Sequence, residues 1–280
     1  MNYFLYFLFT KSIGLFLNLF SCVFPEKTSE LVFLLFTTPK KGKLNPKKLP
    51  QFLQESKIEK LKKEDLTFQI YIWHGNDTKI LLIHGWESNS SRWEHIFPYL
   101  KATGSTIIAI DAPAHGLSDG KRFTIPQYGQ FINETVQKYK PQYLIGHSIG
   151  GNACLYYQYA FSSDCIKKII TLGTPCDFVF ILKKYVCLLN LNSKLRKKLN
   201  DRCVTEYQEE LDKFSAQRFV QNTKIKGLII HDVEDQTVFV DEGRKIAEAW
   251  KDARLIETKG LGHSLQDIKI FKEINWFLFH

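Results

Sequence analysis

The sequence predicts an α/β protein: a mostly parallel central sheet covered by helices on both faces, with a helical cap inserted. Three observations predict it. Short β-rich apolar runs alternate with segments of helical period from residue 67 to the end. The runs at 78–83, 106–110, 143–145, 168–172 and 227–230 are apolar without alternation, as strands buried on both faces are. The rhythm breaks once, at about 176–223, where the sequence is helical, basic and aromatic and holds no apolar strand.

Taken in order, residues 1–38 form an apolar helical segment. Its first part, residues 3–24, is nearly uninterrupted apolar and aromatic sequence, and a second apolar helix is expected over about 29–37. A cleaved signal peptide fits poorly, because the only lysine of residues 3–24, Lys11, lies well inside. The run Leu19-Phe20-Ser21-Cys22 is followed by more apolar sequence rather than the polar tether of a lipoprotein. Lys11, Gly14, Asn18 and Ser21 fall three, four and three residues apart, one narrow polar stripe on a helix. Such a helix suits an interface with lipid, with the second apolar helix or with the domain that follows; a single span is the remaining reading. Lysines 40, 41, 43, 47 and 48 follow, and under either membrane reading they hold the next domain in the cytoplasm, at the inner face of the membrane.

Residues 39–66 read as a basic connector marked by Pro39, Pro46 and Pro50, with room for one short helix. The domain of alternating strands and helices is expected over 67–280. Residues 67–73 alternate like an edge strand, and helices are expected over 92–102, 125–138, 149–161, 241–250 and 268–279, with a last strand at 254–257. The cap lies in the chain where open α/β sheets place ligands, beyond the carboxyl ends of the strands.

The chain has 280 residues, 44% of them hydrophobic, enough for one sizeable core. Its formal charge of +9 is concentrated in residues 40–63 and 183–202. No zinc spacing, RNA-binding signature or basic recognition helix accompanies it, so no nucleic acid is expected, and an anionic membrane surface fits better. The six cysteines form no C-x-x-C pair and no metal-ligand grouping, so they read as reduced thiols; Cys154 reads as a packing residue.

Chemistry is carried first by Gly146-x-Ser148-x-Gly150, directly after one strand and before one helix. This is a nucleophile elbow, a turn so sharp that only glycine fits beside the serine. A serine hydroxyl needs a base, and the base an orienting acid; in this arrangement they follow in the order Ser, acid, His. His263 is the only one of eight histidines in the expected last loop. Asp235 lies beyond the strand ending at 230, with Asp232 and Glu234 close enough to compete. His147 is expected to point away from the nucleophile into packing, and His84 and His115 to brace loops.

At these three places, at His84-Gly85-Trp86 and at Asp111-Ala-Pro-Ala-His-Gly-Leu-Ser118, the chain resembles the α/β-hydrolase superfamily, in its serine esterase and lipase-like branch with a cap insertion. The resemblance covers roughly 67–280. It implies a triad of Ser148, Asp235 and His263, an oxyanion hole made by the backbone amides of Trp86 and Ile149, and two-step acyl transfer with no cofactor and no metal. It also implies a small-molecule acyl substrate, a carboxylic ester. The apolar N-terminus, basic surface and aromatic cap suggest a lipid-derived ester such as a monoacylglycerol or lysophospholipid. An acyltransferase or thioesterase using the same triad, and a catalytically silent binding protein of the same fold, are the alternative readings.

Overall fold

The computed structural model describes the backbone from Tyr3 to His280 and, in the first helix, the side chains of Leu5 and of Phe7 onward. Among the described residues eight strands form one sheet: β1 (Lys57–Lys63), β2 (Leu66–Trp73), β3 (Asn76–Ile83), β4 (Ser105–Ile110), β5 (Tyr143–His147), β6 (Lys168–Leu172), β7 (Lys226–Asp232) and β8 (Ala253–Thr258). The order across the sheet is β1-β2-β4-β3-β5-β6-β7-β8. β1 and β2 pair antiparallel, as do β2 and β4, and every other neighbouring pair is parallel.

The helices are α1 (Tyr3–Val23), α2 (Pro25–Thr37), α3 (Gln51–Gln54), α4 (Phe97–Lys101), α5 (Ile125–Tyr139), α6 (Ile149–Phe161), α7 (Phe178–Leu189), α8 (Ser193–Tyr207), α9 (Ala216–Val220), α10 (Val240–Ala249) and α11 (Ile268–Phe279). The chain divides into two compact units, residues 39–176 with 216–280 and residues 1–38 with 177–215.

In the first unit the alternation of side chains along each strand feeds two cores. On one face Leu82, Ile107, Ile145, Ile170 and Leu228 pack with Phe97 and Leu100 of α4 and with Ile270, Phe271 and Ile274 of α11. The residues between them, such as Leu81, Ile108, Leu144 and Ile169, are equally buried toward the opposite face. This double burial explains why the central runs carry no polar alternation.

The segment expected as a connector is part of this unit. It contains α3 and the edge strand β1, paired residue for residue with β2 from Lys57↔Ile72 to Lys63↔Leu66. β2 is therefore not an edge. Four of the seven β1 residues are lysines, and charged side chains guard an edge strand against further pairing. The strand is tied inward by Glu59, which accepts hydrogen bonds from Lys138 Nζ (2.6 Å) and the Tyr139 hydroxyl (2.5 Å) of α5. The helix expected over 92–102 is instead a 3-10 turn, Ser90–Trp93, followed by the short α4.

The second unit joins the N-terminal helices to the insertion. Its boundary falls at Ser215 rather than near 223, since α9 belongs to the sheet unit. Leu17, Val32, Phe33, Phe178, Leu182, Leu195, Leu199 and Phe214 are buried in it. α2 is held to α8 by a Lys198–Glu26 ion pair and by Arg202 Nε donating to Ser29 Oγ at 3.2 Å. Among the described residues no helix is long and apolar enough to cross a membrane.

Candidate active site

Ser148 follows the last residue of β5 and precedes the first of α6, with φ 54° and ψ −129°. A non-glycine residue in that conformation is strained and must be held by its surroundings. A Cβ at Gly146 would come within 2.5 Å of Gly151 Cα, and one at Gly150 within 2.4 Å of the His84 carbonyl oxygen. Strand, helix and the neighbouring loop thus meet at the elbow with no room for larger residues. The Ser148 amide donates to the Leu172 carbonyl at 2.7 Å, fastening the turn to β6.

Asp235 lies three residues past β7, fully buried, and the partly exposed His263 lies in a 3-10 turn, Gly262–Ser264, after β8. Asp235 Oδ1 accepts the amides of Thr237 (2.7 Å) and Val238 (2.9 Å). Its Oδ2 is 2.7 Å from His263 Nδ1, which donates to it. Burial pushes the Asp235 carboxyl up, but the His263 and amide hydrogen bonds outweigh it and leave the group below its ordinary value. The competitors are occupied elsewhere. Asp232 accepts from the Thr258 hydroxyl (2.7 Å) and the amides of Leu261 (3.0 Å) and Glu234 (2.9 Å), and Glu234 faces Lys259 at 3.9 Å. Among the described residues the Ser148 hydroxyl makes no hydrogen bond to His263, a contact often open without substrate.

Ile149 follows this serine directly in sequence, and Trp86 follows the strand beside it in the sheet. β3, which leads to Trp86, is the parallel neighbour of β5, which leads to Ile149. Neither amide is engaged by an acceptor among the described residues outside regular helix and strand ladders. The Trp86 loop is braced by two histidines. His84 Nε2 accepts from the Ala112 amide (2.9 Å) and Nδ1 donates to the Gly85 carbonyl (2.8 Å). His115 Nε2 accepts from the Glu87 amide (3.0 Å) and Nδ1 donates to the Pro113 carbonyl (2.8 Å). Burial drives both down, to about 4 and about 3, so they are neutral imidazoles at ordinary pH. Asp111 completes the brace, accepting from the Tyr71 hydroxyl, the Ser90 amide and hydroxyl and the Leu117 amide.

His147 departs from expectation. Its ring does not turn away from the site but lies 4.8 Å from that of His263, centroid to centroid, and its Nε2 donates to the His263 carbonyl at 2.8 Å. Burial first, then the charge of Arg92 and the neighbouring His263 ring, push it far below an ordinary histidine. Arg92 was not legible as a site residue. From the turn before α4 its Nη2 reaches the Ser264 carbonyl at 3.2 Å, while among the described residues its buried Nε has no hydrogen-bond partner. Two successive carbonyls of the His263 turn are therefore pinned by side chains from elsewhere. His231, also unnoticed in the sequence, donates from Nε2 to the Val238 carbonyl and sits 3.6 Å from Asp235 Oδ2. Among the described residues no group of three or more His, Cys, Asp or Glu side chains is arranged to hold a metal ion.

A sheet of this order, with a strained serine turn after β5 and an Asp–His pair beyond β7 and β8, defines the α/β-hydrolase class. Within it the chain belongs to the Hydrolase_4 family (serine aminopeptidase, S33), whose sequence model matches residues 75–245. A protein of Drosophila melanogaster named "Probable serine hydrolase" is 34% identical over 109 residues, 36% of this chain and 32% of that one. The chain thus spans about a third of that relative. The monoacylglycerol lipase of Mycolicibacterium smegmatis is 26% identical over 87 residues, 28% of this chain and 31% of that one. Among solved structures, mouse alpha/beta hydrolase domain-containing protein 10 superposes with a TM-score of 0.61 at 17% identity, covering 80% of this chain and 97% of that one. The monoacylglycerol lipase of Paleococcus ferrophilus gives 0.60 at 20% identity, covering 75% and 98%. At these identities the structures speak for the fold alone.

Proposed function

We propose that the chain is a serine hydrolase that cleaves a carboxylic ester through an acyl-enzyme on Ser148. The observation that carries this reading is the Asp235–His263 bond. Both lone-pair directions of Oδ1 are taken by amides, so Oδ2 is left to fix the proton of His263 on Nδ1 and to leave Nε2 as a base. As the Ser148 oxygen attacks the carbonyl, its proton passes to Nε2. The amides of Trp86 and Ile149 receive the oxyanion, each worth about 3 kcal/mol in such a site. The imidazolium then protonates the departing alkoxide, and a water deprotonated by His263 releases the acid.

The substrate class proposed is a lipid-derived ester such as a monoacylglycerol or lysophospholipid, met at the inner face of a membrane. Relatives named monoacylglycerol lipase support the acyl class, and the apolar helices of residues 1–38 with their neighbouring lysines support the surface.

A fluorophosphonate probe tests the chemistry. Peptide mass spectrometry is expected to find it on Ser148, with labelling abolished in Ser148→Ala and reduced to background in His263→Ala. Folded wild-type protein that takes no label would refute the activated serine. Faster turnover of short water-soluble esters than of long-chain ones would refute the lipid substrate while leaving the triad intact.

A further inference from the structure

The polar stripe of α1 faces protein rather than water. Lys11 Nζ donates to the Cys187 carbonyl (2.9 Å), and Asn18 Nδ2 donates to the Asn190 carbonyl (2.9 Å). Asn18 Oδ1 accepts the Asn192 amide (2.9 Å), and Asn192 Nδ2 donates to Ser21 Oγ (3.4 Å). Gly14 lies between them so close to α7 that a Cβ there would fall 1.6 Å from the Leu189 carbonyl oxygen. The last carbonyls of a helix have no partner within it, and a cation there also meets the negative end of its dipole. The stripe is thus a clasp on the turn from α7 to α8.

With the small and polar edge turned inward, the bulky residues are left outside. Leu8, Phe9, Leu15, Phe16, Leu19 and Val23 are each about half exposed or more, at the three- and four-residue spacing of one helical face. So large a contiguous apolar face marks a docking surface. Its surroundings specify the partner. No carboxylate occurs before Glu26, and Lys27 lies against Phe24 just beyond the C-terminal end of the helix. The clasped segment, residues 178–200, carries Lys183, Lys194, Arg196 and Lys197 on its two helices and no carboxylate, while Lys198 is already paired with Glu26. A second copy on this face would bring like charges together, whereas anionic headgroups would neutralise them. A perpendicular span would require the clasp to break in hydrocarbon, leaving its polar groups unpaired.

We infer that α1 lies flat on an anionic bilayer surface through this outer face, and that its polar clasp anchors the α7–α8 turn there. The identity of the partner rests on the lipid-ester reading above, but the binding is testable without turnover.

The 280-residue chain carrying Ser148→Ala is to be sedimented with vesicles of phosphatidylcholine, with and without phosphatidylglycerol. It is expected to pellet with the mixed vesicles and far less with phosphatidylcholine alone. Adding Leu15→Gln, Phe16→Gln and Leu19→Gln is expected to weaken partitioning by at least about tenfold, since burying a single Leu or Phe is worth that much. Asn18→Ala is expected to keep vesicle binding while hydrogen exchange in residues 187–195 quickens. Three results would overturn the inference: no pelleting, equal pelleting of the triple variant, or a dimer that the triple variant dissociates. A failure here leaves the serine chemistry standing, and absence of probe labelling at Ser148 leaves the docking standing.

Discussion

Replacing Asp235 by asparagine separates the chemistry from the fold. Oδ1 accepts two main-chain amides, so the carbonyl oxygen of the new amide must stay there; turning it would aim an NH2 group at two N–H donors. The NH2 group then faces His263 Nδ1, where a proton acceptor stood. To accept from it, the imidazole must carry its proton on Nε2, and that nitrogen can no longer take the proton of Ser148. The loss expected from the wrong tautomer is about 10⁴-fold in kcat, or about 5 kcal/mol of transition-state stabilisation. The fold keeps every amide contact of Oδ1, so melting temperature is expected to move little. Asp232→Asn behaves oppositely. Each of its oxygens accepts at least one main-chain amide, so an asparagine must set its NH2 against a donor whichever way it turns, costing about 1–3 kcal/mol of stability. Measuring ester hydrolysis, the rate of fluorophosphonate labelling and urea denaturation on both variants decides the matter. Asp235→Asn activity within about tenfold of wild type would falsify the assignment of the acid.

Two further outcomes follow from the same geometry. His147→Leu removes the donor to the His263 carbonyl, and a small displacement of the base is expected to lower kcat by about 10- to 100-fold with KM little changed, while His147→Gln, which keeps a donor at similar reach, recovers most of the loss; equal kcat in the two variants would show that the bond does not position His263. Hydrogen bonds from Lys138, Lys57 and Tyr139 hold Glu59 down at about 2, below its unfolded value, so its contribution is complete above that unfolded value and disappears as pH falls through about 2. Glu59→Gln is therefore expected to lower stability by no more than about 1 kcal/mol near neutral pH, the lysines being open to solvent, and progressively less in acid; a deficit independent of pH in denaturation curves would rule out the ionised carboxylate as its source.

What the sequence disclosed and what it hid differ in kind. The central strands were legible because burial on both faces leaves a short, mostly apolar run, a property each strand carries by itself. The elbow was legible because a sharp turn forces glycine at 146 and 150, again a local demand. The loop position of Asp235 was equally local, and the structure sets it, not Asp232 or Glu234, against His263. β1 escaped notice because an edge strand has one covered face at most, and its lysine-rich outer side looks like a connector until β2 is known to lie beside it.

The contacts that the sequence left open share one cause, polar side chains whose partners are main-chain groups far away in the chain. Lys11 and Asn18 satisfy backbone groups at the end of a helix more than 170 residues away in the chain, so the stripe that marks the helix as amphipathic marks its protein side. His147 and Arg92 do the same for carbonyls of the His263 turn. Helix ends and irregular turns leave main-chain groups that regular structure cannot pair, and a buried one left bare costs more than the side chain needed to reach it. The partner of such a polar residue is set by which turns the fold brings near it, and that is fixed only when the strands have been ordered. A polar residue at helical spacing therefore reports an interface without saying which side is wet, and in α1 the hydrogen bonds of Lys11 and Asn18 put the polar stripe against the α7–α8 turn.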